Sequence, residues 1–202
     1  MYLLKNHKLK LLIFEKKLKF VFLDTEFTGE HGKTTLVSLG MVTMDGQTLE
    51  INFNDYNKKQ VSSWLKKNVL SNLKEKSAYS SKIAFTKISN FLESYSSGDK
   101  IIIVTAGKTL DLTLLFDLYK YSKIKKNSQF HWLYDLPDYL SHNDHLDLNT
   151  IFFLAGLKNT NRENFANLKI KKNKHNALYD AIIVKKCFNK LLNKFPKLKK
   201  HL

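Results

Sequence analysis

The sequence predicts an α/β layer fold built on a mixed sheet, and three observations carry that expectation. Phe20-Val21-Phe22-Leu23 is apolar on both faces, as a strand in the middle of a doubly covered sheet would be. Two more strand patterns follow closely, 34–44 and 47–54, joined through Asp45-Gly46, the dipeptide favoured in a two-residue type I′ hairpin turn. Beyond them strand and helix patterns alternate, which adds parallel strands to a sheet that began as a hairpin.

Along the chain, residues 1–17 read as a basic, weakly patterned extension. In the third strand Leu49, Ile51 and Phe53 share one face. Helical patterns follow at about 59–69 and 80–96, the second with Ile83, Ile88, Phe91 and Leu92 turned inward. Ile101 to Thr105 is a buried strand that leads into a helix over about 110–121. The stretch 123–145, with Phe130, Trp132 and Tyr134, is an aromatic insertion without a clear period. A short strand near 145–148 precedes helices near 149–157 and 162–168, and the last helix spans about 176–194. This organisation divides into the extension, one domain over 18–196 and a basic tail over 197–202.

A chain of 202 residues, 43% hydrophobic and 26% charged, fits one soluble globular domain. No apolar run approaches the roughly 20 residues needed to cross a bilayer. Leu11 to Phe14 is too short for the apolar core of a secretion signal, so the expected location is cytoplasmic. Cys187, the single cysteine, falls on a helical apolar stripe and reads as a small hydrophobe. The net charge of +16 favours a polyanionic partner. Every basic residue except Arg162 is lysine, alongside abundant asparagine and isoleucine, so base composition of the coding sequence explains that charge equally well.

The acids are more informative. Asp24 and Glu26 lie in step with Phe20 and Phe22, so both carboxylates project together past the carboxyl end of the central strand. Ligands of open α/β sheets usually bind at that end. A strand-end pair of this kind is weak by itself, because such acids are often merely solvated. Asp111 opens a helix in line with Leu115 and Leu118, which places it at the mouth of a core-facing stripe. Asp180 precedes Val184, Cys187 and Leu191 at helical spacing and shares their buried face, with no lysine or arginine one turn away on that stripe. An unpaired carboxylate costs several kcal/mol to bury, so a bound cation is the economical answer. His175, five residues earlier, reaches the acids only if the helix starts near Asn176 and leaves it in the preceding loop.

This set suits one chemistry. Two divalent ions about 3.5–4 Å apart hold the attacking and leaving oxygens of an in-line displacement at phosphorus. Hard ions such as Mg²⁺ or Mn²⁺ take carboxylate and water ligands, and three or four acids supply the charge. A histidine then accepts the proton of the attacking water at neutral pH.

Taken together these residues resemble the DEDDh (DnaQ-like) 3′→5′ exonuclease superfamily. Its first motif is matched by Phe22-Leu23-Asp24-Thr25-Glu26-Phe27-Thr28-Gly29, its second by Leu110-Asp111, and its third by His175-Asn176-Ala177-Leu178-Tyr179-Asp180-Ala181. The likeness spans about residues 19–192 and sides with the histidine type, because Asn176 stands where a sister group has tyrosine. It implies a ribonuclease H-like three-layer fold with a central mixed five-stranded sheet, which makes 18–196 an exonuclease domain. It also implies Asp24, Glu26, Asp111 and Asp180 as ligands of two Mg²⁺ or Mn²⁺ ions, with His175 as general base. The product would be nucleoside 5′-monophosphates released from a single-stranded nucleic acid. The segment Thr34 to Asp55, with Asn68-Val69-Leu70, is similar to a branch of small bacterial and phage exoribonucleases, which favours RNA and makes a homodimer an expectation. Ala106-Gly107-Lys108 departs from the His-Asn that proofreading enzymes carry before the second motif.

By the same likeness Phe27 and Thr28 would meet the terminal nucleotide, although Phe27 could equally pack under the hairpin. His142, Asp144, His145 and Asp147 form a second ligand-rich group, better read as a polar loop entering a strand, since zinc-type Cys/His spacing is missing. Phe130, Trp132 and Tyr134 read as a strand or core wall rather than a base-stacking platform. Two other readings compete with an RNA exonuclease: a DNA-directed proofreading or repair exonuclease, and a catalytically silent nucleic-acid-binding module on the same fold.

Overall fold

The computed structural model describes residues 18–73, 78–107, 109–122, 136–158, 160–168 and 175–199, the side chains of 141, 142, 198 and 199 excepted. The expected extension 1–17 lies outside these residues, as do the aromatic triplet Phe130, Trp132 and Tyr134 and the end of the expected tail. The strands are β1 (Leu18–Phe27), β2 (Leu36–Thr43), β3 (Thr48–Phe53), β4 (Ala78–Tyr79), β5 (Lys100–Thr105) and β6 (Leu140–Asp147). The helices are α1 (Ser63–Asn68), α2 (Ser81–Ser96), α3 (Thr109–Asp117), α4 (Leu148–Leu154), α5 (Arg162–Phe165), α6 (Ala177–Lys194) and α7 (Pro196–Lys199).

The strands form one mixed sheet in the order β4-β3-β2-β1-β5-β6. β2 runs antiparallel to both of its neighbours, β1 and β3, whereas β4, β5 and β6 join in parallel. The expected ribonuclease H-like three-layer arrangement is therefore present, with six strands instead of five. The additional strand is β4, whose two residues pair with Asn52 and Phe53 and are too few to show any alternation in the sequence.

Alternation along β1 sorts the core into two halves. Val21 and Leu23 pack with Ile88 and Leu92 of α2 and Leu114 and Leu115 of α3, while Phe20 and Phe22 pack with Val184, Cys187, Phe188 and Leu191 of α6. Cys187 is fully buried and free, and burial pushes its thiol up to about 11, in keeping with an inert core residue. Leu49, Ile51 and Phe53 share the α2 side, as their spacing requires. Ile83 does not turn inward: it is 53% exposed, and Ala84 takes the inward position, in step with Ile88, Leu92 and Tyr95. The helix expected over 59–69 is broken at Ser62, whose hydroxyl accepts from the Leu65 amide at 3.1 Å and starts α1 afresh. Among the described residues no helix is long and apolar enough to cross a membrane.

Two glycines show where backbone geometry overrules pattern. At the β2–β3 turn Gly46 has φ +103° while Asp45 keeps a negative φ, so the type I′ turn, which needs both positive, does not form. The loop takes three residues, closed by Gly46 N–H donating to Thr43 O at 3.1 Å and by the Thr43 hydroxyl bonding Asp45. Gly40, opposite Asp24 in the β1–β2 register, lies directly under the start of α6. A Cβ there would fall 2.2 Å from the Leu178 amide nitrogen, so only glycine lets helix and strand meet at this point.

Candidate active site

The pairing of β1 with β5 runs from Leu18 to Phe22 and stops, whereas its pairing with β2 continues to Phe27. The last residues of β1 thus lack a strand on one side. Asp111, in the first turn of α3, fills that place: one of its carboxylate oxygens accepts from Thr25 N–H at 3.2 Å and from the Thr25 hydroxyl at 2.6 Å. These bonds account for a carboxylate only 2% exposed.

Because Thr25 points toward α3, Asp24 and Glu26 point toward α6. Asp180, one turn into α6, meets them there, and carboxylate oxygens of Asp24, Glu26 and Asp180 lie within 4.8 Å of one another. All four acids line a single cleft of roughly 680 Å³. Burial raises the Asp24 carboxyl well above the usual carboxylate range, helped by the negative charges of Asp111, Asp180 and Glu26 and opposed by Arg162. Such crowding is costly unless protons or cations relieve it.

His175 stands outside the helix, as a start at Asn176 requires. Asn176 caps α6 by accepting from the Tyr179 amide at 2.9 Å, and its amide group donates to Glu50 at 2.8 Å. His175, with φ +63°, takes the left-handed conformation just before that cap, one that histidine adopts more often than most residues. This turn brings the imidazole over the cleft, with Nδ1 4.0 Å from Glu26 Oε1. The Trp64 indole of α1 packs against the ring in a T-shaped contact, centroids 4.8 Å apart.

Phe27 lines the cleft and also packs against the α2-side core. Thr28 is 5% exposed and well engaged: its amide donates to Thr35 O at 3.0 Å and its hydroxyl to Gln60 Oε1 at 2.7 Å. It braces the loop that follows β1.

The second ligand-rich group takes a different form. Asp144 pairs with Lys100 at 3.1 Å, and the His145 ring bonds the Thr105 hydroxyl at 2.8 Å. Asp147 caps α4, accepting from Asn149 N–H, Thr150 N–H and the Thr150 hydroxyl, and it also accepts from Gly107 N–H at 2.6 Å. Among the described residues, the one group of three or more ligating side chains close enough to share an ion is Asp24, Glu26 and Asp180.

Three cleft residues have no sequence motif to announce them. Trp64 sits among lysines and serines and reads as surface, Asn161 reads as a loop residue, and Arg162 stands out solely as the chain's one arginine.

The family profile for the Rv2179c-like 3′–5′ exoribonuclease domain matches residues 19–192. The chain belongs to that family. The expected activity class, a 3′→5′ exonuclease acting on RNA, is that of the Rv2179c-like family. No curated protein sequence matches the chain. Among solved structures, the fold resembles Schizosaccharomyces pombe Pop2p in its Mg²⁺- and Mn²⁺-bound form, with TM-score 0.55, 14% identity and coverage of 87% of this chain and 83% of that one. It also resembles the Neurospora crassa Pan2 catalytic unit of protease and nuclease domains, with TM-score 0.55, 15% identity and coverage of 91% of this chain and 28% of that one. The Rv2179c-like domain thus shares its architecture with proteins of low sequence identity to it.

Proposed function

We propose that this chain removes nucleoside 5′-monophosphates one at a time from the 3′ end of single-stranded RNA, in the cleft between the end of β1 and the start of α6. The observation that carries this reading is the convergence of Asp24, Glu26 and Asp180 within 4.8 Å, with Asp111 against the next residue of the strand. Oxygen donors of this number and charge fit Mg²⁺ or Mn²⁺, and the raised Asp24 pKa marks a site that gains from cation binding. Two such ions would offset the charge on the attacking and leaving oxygens of an in-line displacement. Pop2p, bound to both metals, supports the same choice.

The protein's own groups supply the rest. Asp24, Glu26, Asp111 and Asp180 would hold the ions, and the Thr25 bonds keep Asp111 turned toward the strand end. His175 is the general base: as water oxygen bonds to phosphorus and the P–O3′ bond breaks, its imidazole takes the water's proton while the departing O3′ takes one from solvent. Glu26, 4.0 Å away, favours the imidazolium so formed, and Trp64 confines the ring. Phe27 offers a face to the terminal base, on a loop that Thr28 braces through Gln60. The resemblance read from the sequence makes a homodimer the expected working form, which light scattering would measure directly.

The test is a set of 5′-labelled RNA and DNA oligonucleotides of matched sequence, incubated with Mg²⁺, Mn²⁺ or a chelator. Stepwise shortening of RNA, dependent on metal and slower on DNA, is expected. Binding without shortening, or a preference for DNA, would overturn the reading.

A further inference from the structure

We propose that Arg162 is a phosphate-binding residue of this cleft, gripping a non-bridging oxygen of the scissile phosphate and then the phosphate of the released monophosphate. The inference rests on the exonuclease reading and deepens it. Six carboxylates line the cleft: Asp24, Glu26, Glu30, Asp111, Glu163 and Asp180. In a chain with 34 lysines and arginines, no lysine is among the described lining residues. Among the described lining residues Arg162 is the one permanent cation, and it is also the chain's single arginine.

Its placement is built. Asn161 caps α5 by accepting from the Asn164 amide at 2.9 Å, which sets the turn that carries Arg162. The Arg162 carbonyl accepts from the Cys187 thiol of α6 at 3.3 Å, so the backbone is tied to the core. At the other end Nη1 donates to Ala106 O at 3.0 Å, on the turn between β5 and α3. Alanine at 106 leaves that carbonyl within reach. One bond of this kind uses one of five guanidinium N–H groups, and the planar fork suits a phosphate better than an ammonium does. A cation meant only to dilute the acids' repulsion could have been any of the abundant lysines.

The test compares wild type with Arg162→Lys and Arg162→Met. Calorimetry with Ca²⁺ present would measure adenosine 5′-monophosphate and adenosine, and a separate titration would measure Mn²⁺ alone. We expect the methionine variant to bind the monophosphate about ten- to a hundredfold more weakly, the loss typical of one hydrogen bond to a charged group, and lysine to recover only part of it. Adenosine affinity should hold, and Mn²⁺ affinity should hold or rise as a neighbouring positive charge disappears. Equal monophosphate binding in all three proteins, or a parallel loss of adenosine or Mn²⁺ binding, would leave Arg162 a structural brace and overturn the proposal. Wild-type protein that neither shortens RNA nor binds the monophosphate would instead sink the exonuclease reading beneath it.

Discussion

Asp24 and Asp147 are the same residue type on strands of one sheet, separated by β5 alone, yet their surroundings are opposite. Asp147 is ringed by donors: partial burial would raise its pKa, but hydrogen bonds from Thr150, Gly107 and Asn149 hold it below the usual range. Asp24 is ringed by acids and is pushed well above that range. A carboxylate whose lone pairs are all answered by the protein is there to hold the fold. One pressed against its own kind waits for something positive from outside. That contrast separates a structural cap from a candidate metal ligand more sharply than residue type does.

Four experiments would break or sharpen it. The largest effect is expected from Asp180→Asn: loss of about 10³-fold or more in kcat, with Tm unchanged or raised because like-charge crowding is relieved. Full activity in that variant would dissolve the contrast. Next, His175→Ala should cost about 10²–10⁴-fold in kcat. Wild-type rate should also fall on the acid side as the imidazole protonates, and a flat profile between pH 5 and 8 would exclude it as the base. On the other side of the comparison, Asp147→Ala removes the α4 cap and should cost about 0.5–2 kcal/mol of stability, with activity per folded molecule changed only a few-fold. A Tm equal to wild type together with lost activity would reverse the roles assigned to the two aspartates.

The smallest effect concerns pH. The folded chain holds the Asp24 proton more tightly than the unfolded chain, so this stabilisation is complete at low pH and is lost as pH rises through the folded-state value. Asp147, with its depressed pKa, works in the other direction: its contribution is present above the ordinary carboxylate value and lost as pH falls through the folded one. In chelator, Asp24→Asn should therefore raise Tm at neutral pH, and the gain should shrink on acidification toward pH 5. Melting curves with a pH-independent difference would contradict the sign.

What the sequence made legible follows where period and burial coincide. β1, β2, β3, β5 and α6 are buried on a regular face, and their patterns locate them to within a few residues. The acids stood out because carboxylates in line with Phe22, Leu115 or Val184 contradict their neighbours. β6 extends back to Leu140, five residues before the expected start, because Ser141-His142-Asn143-Asp144 carries no apolar alternation and falls where the register with β5 shifts, between the pairs Ile101–Leu140 and Ile103–His145. The helices expected at 149–157 and 162–168 close early, at Leu154 and Phe165. In each, turn bonds within the following residues take over the carbonyls. Arg162 and Trp64 could not be found by pattern, since each acts through a neighbour far away in the chain, Ala106 and His175.

The bare Cα at position 40 has a wider reach than its size implies. A methyl there would need about 3.5–4.0 Å from atoms that now sit 2.2–2.3 Å away, so the opening of α6 would have to climb off the sheet. Asp180 would ride upward with it while Asp24, across the ladder from Gly40, stayed put. An uncharged, unreactive substitution on the neighbouring strand would thereby pull Asp24 and Asp180 apart, and a screen for lost turnover would score it as though it had struck the chemistry itself.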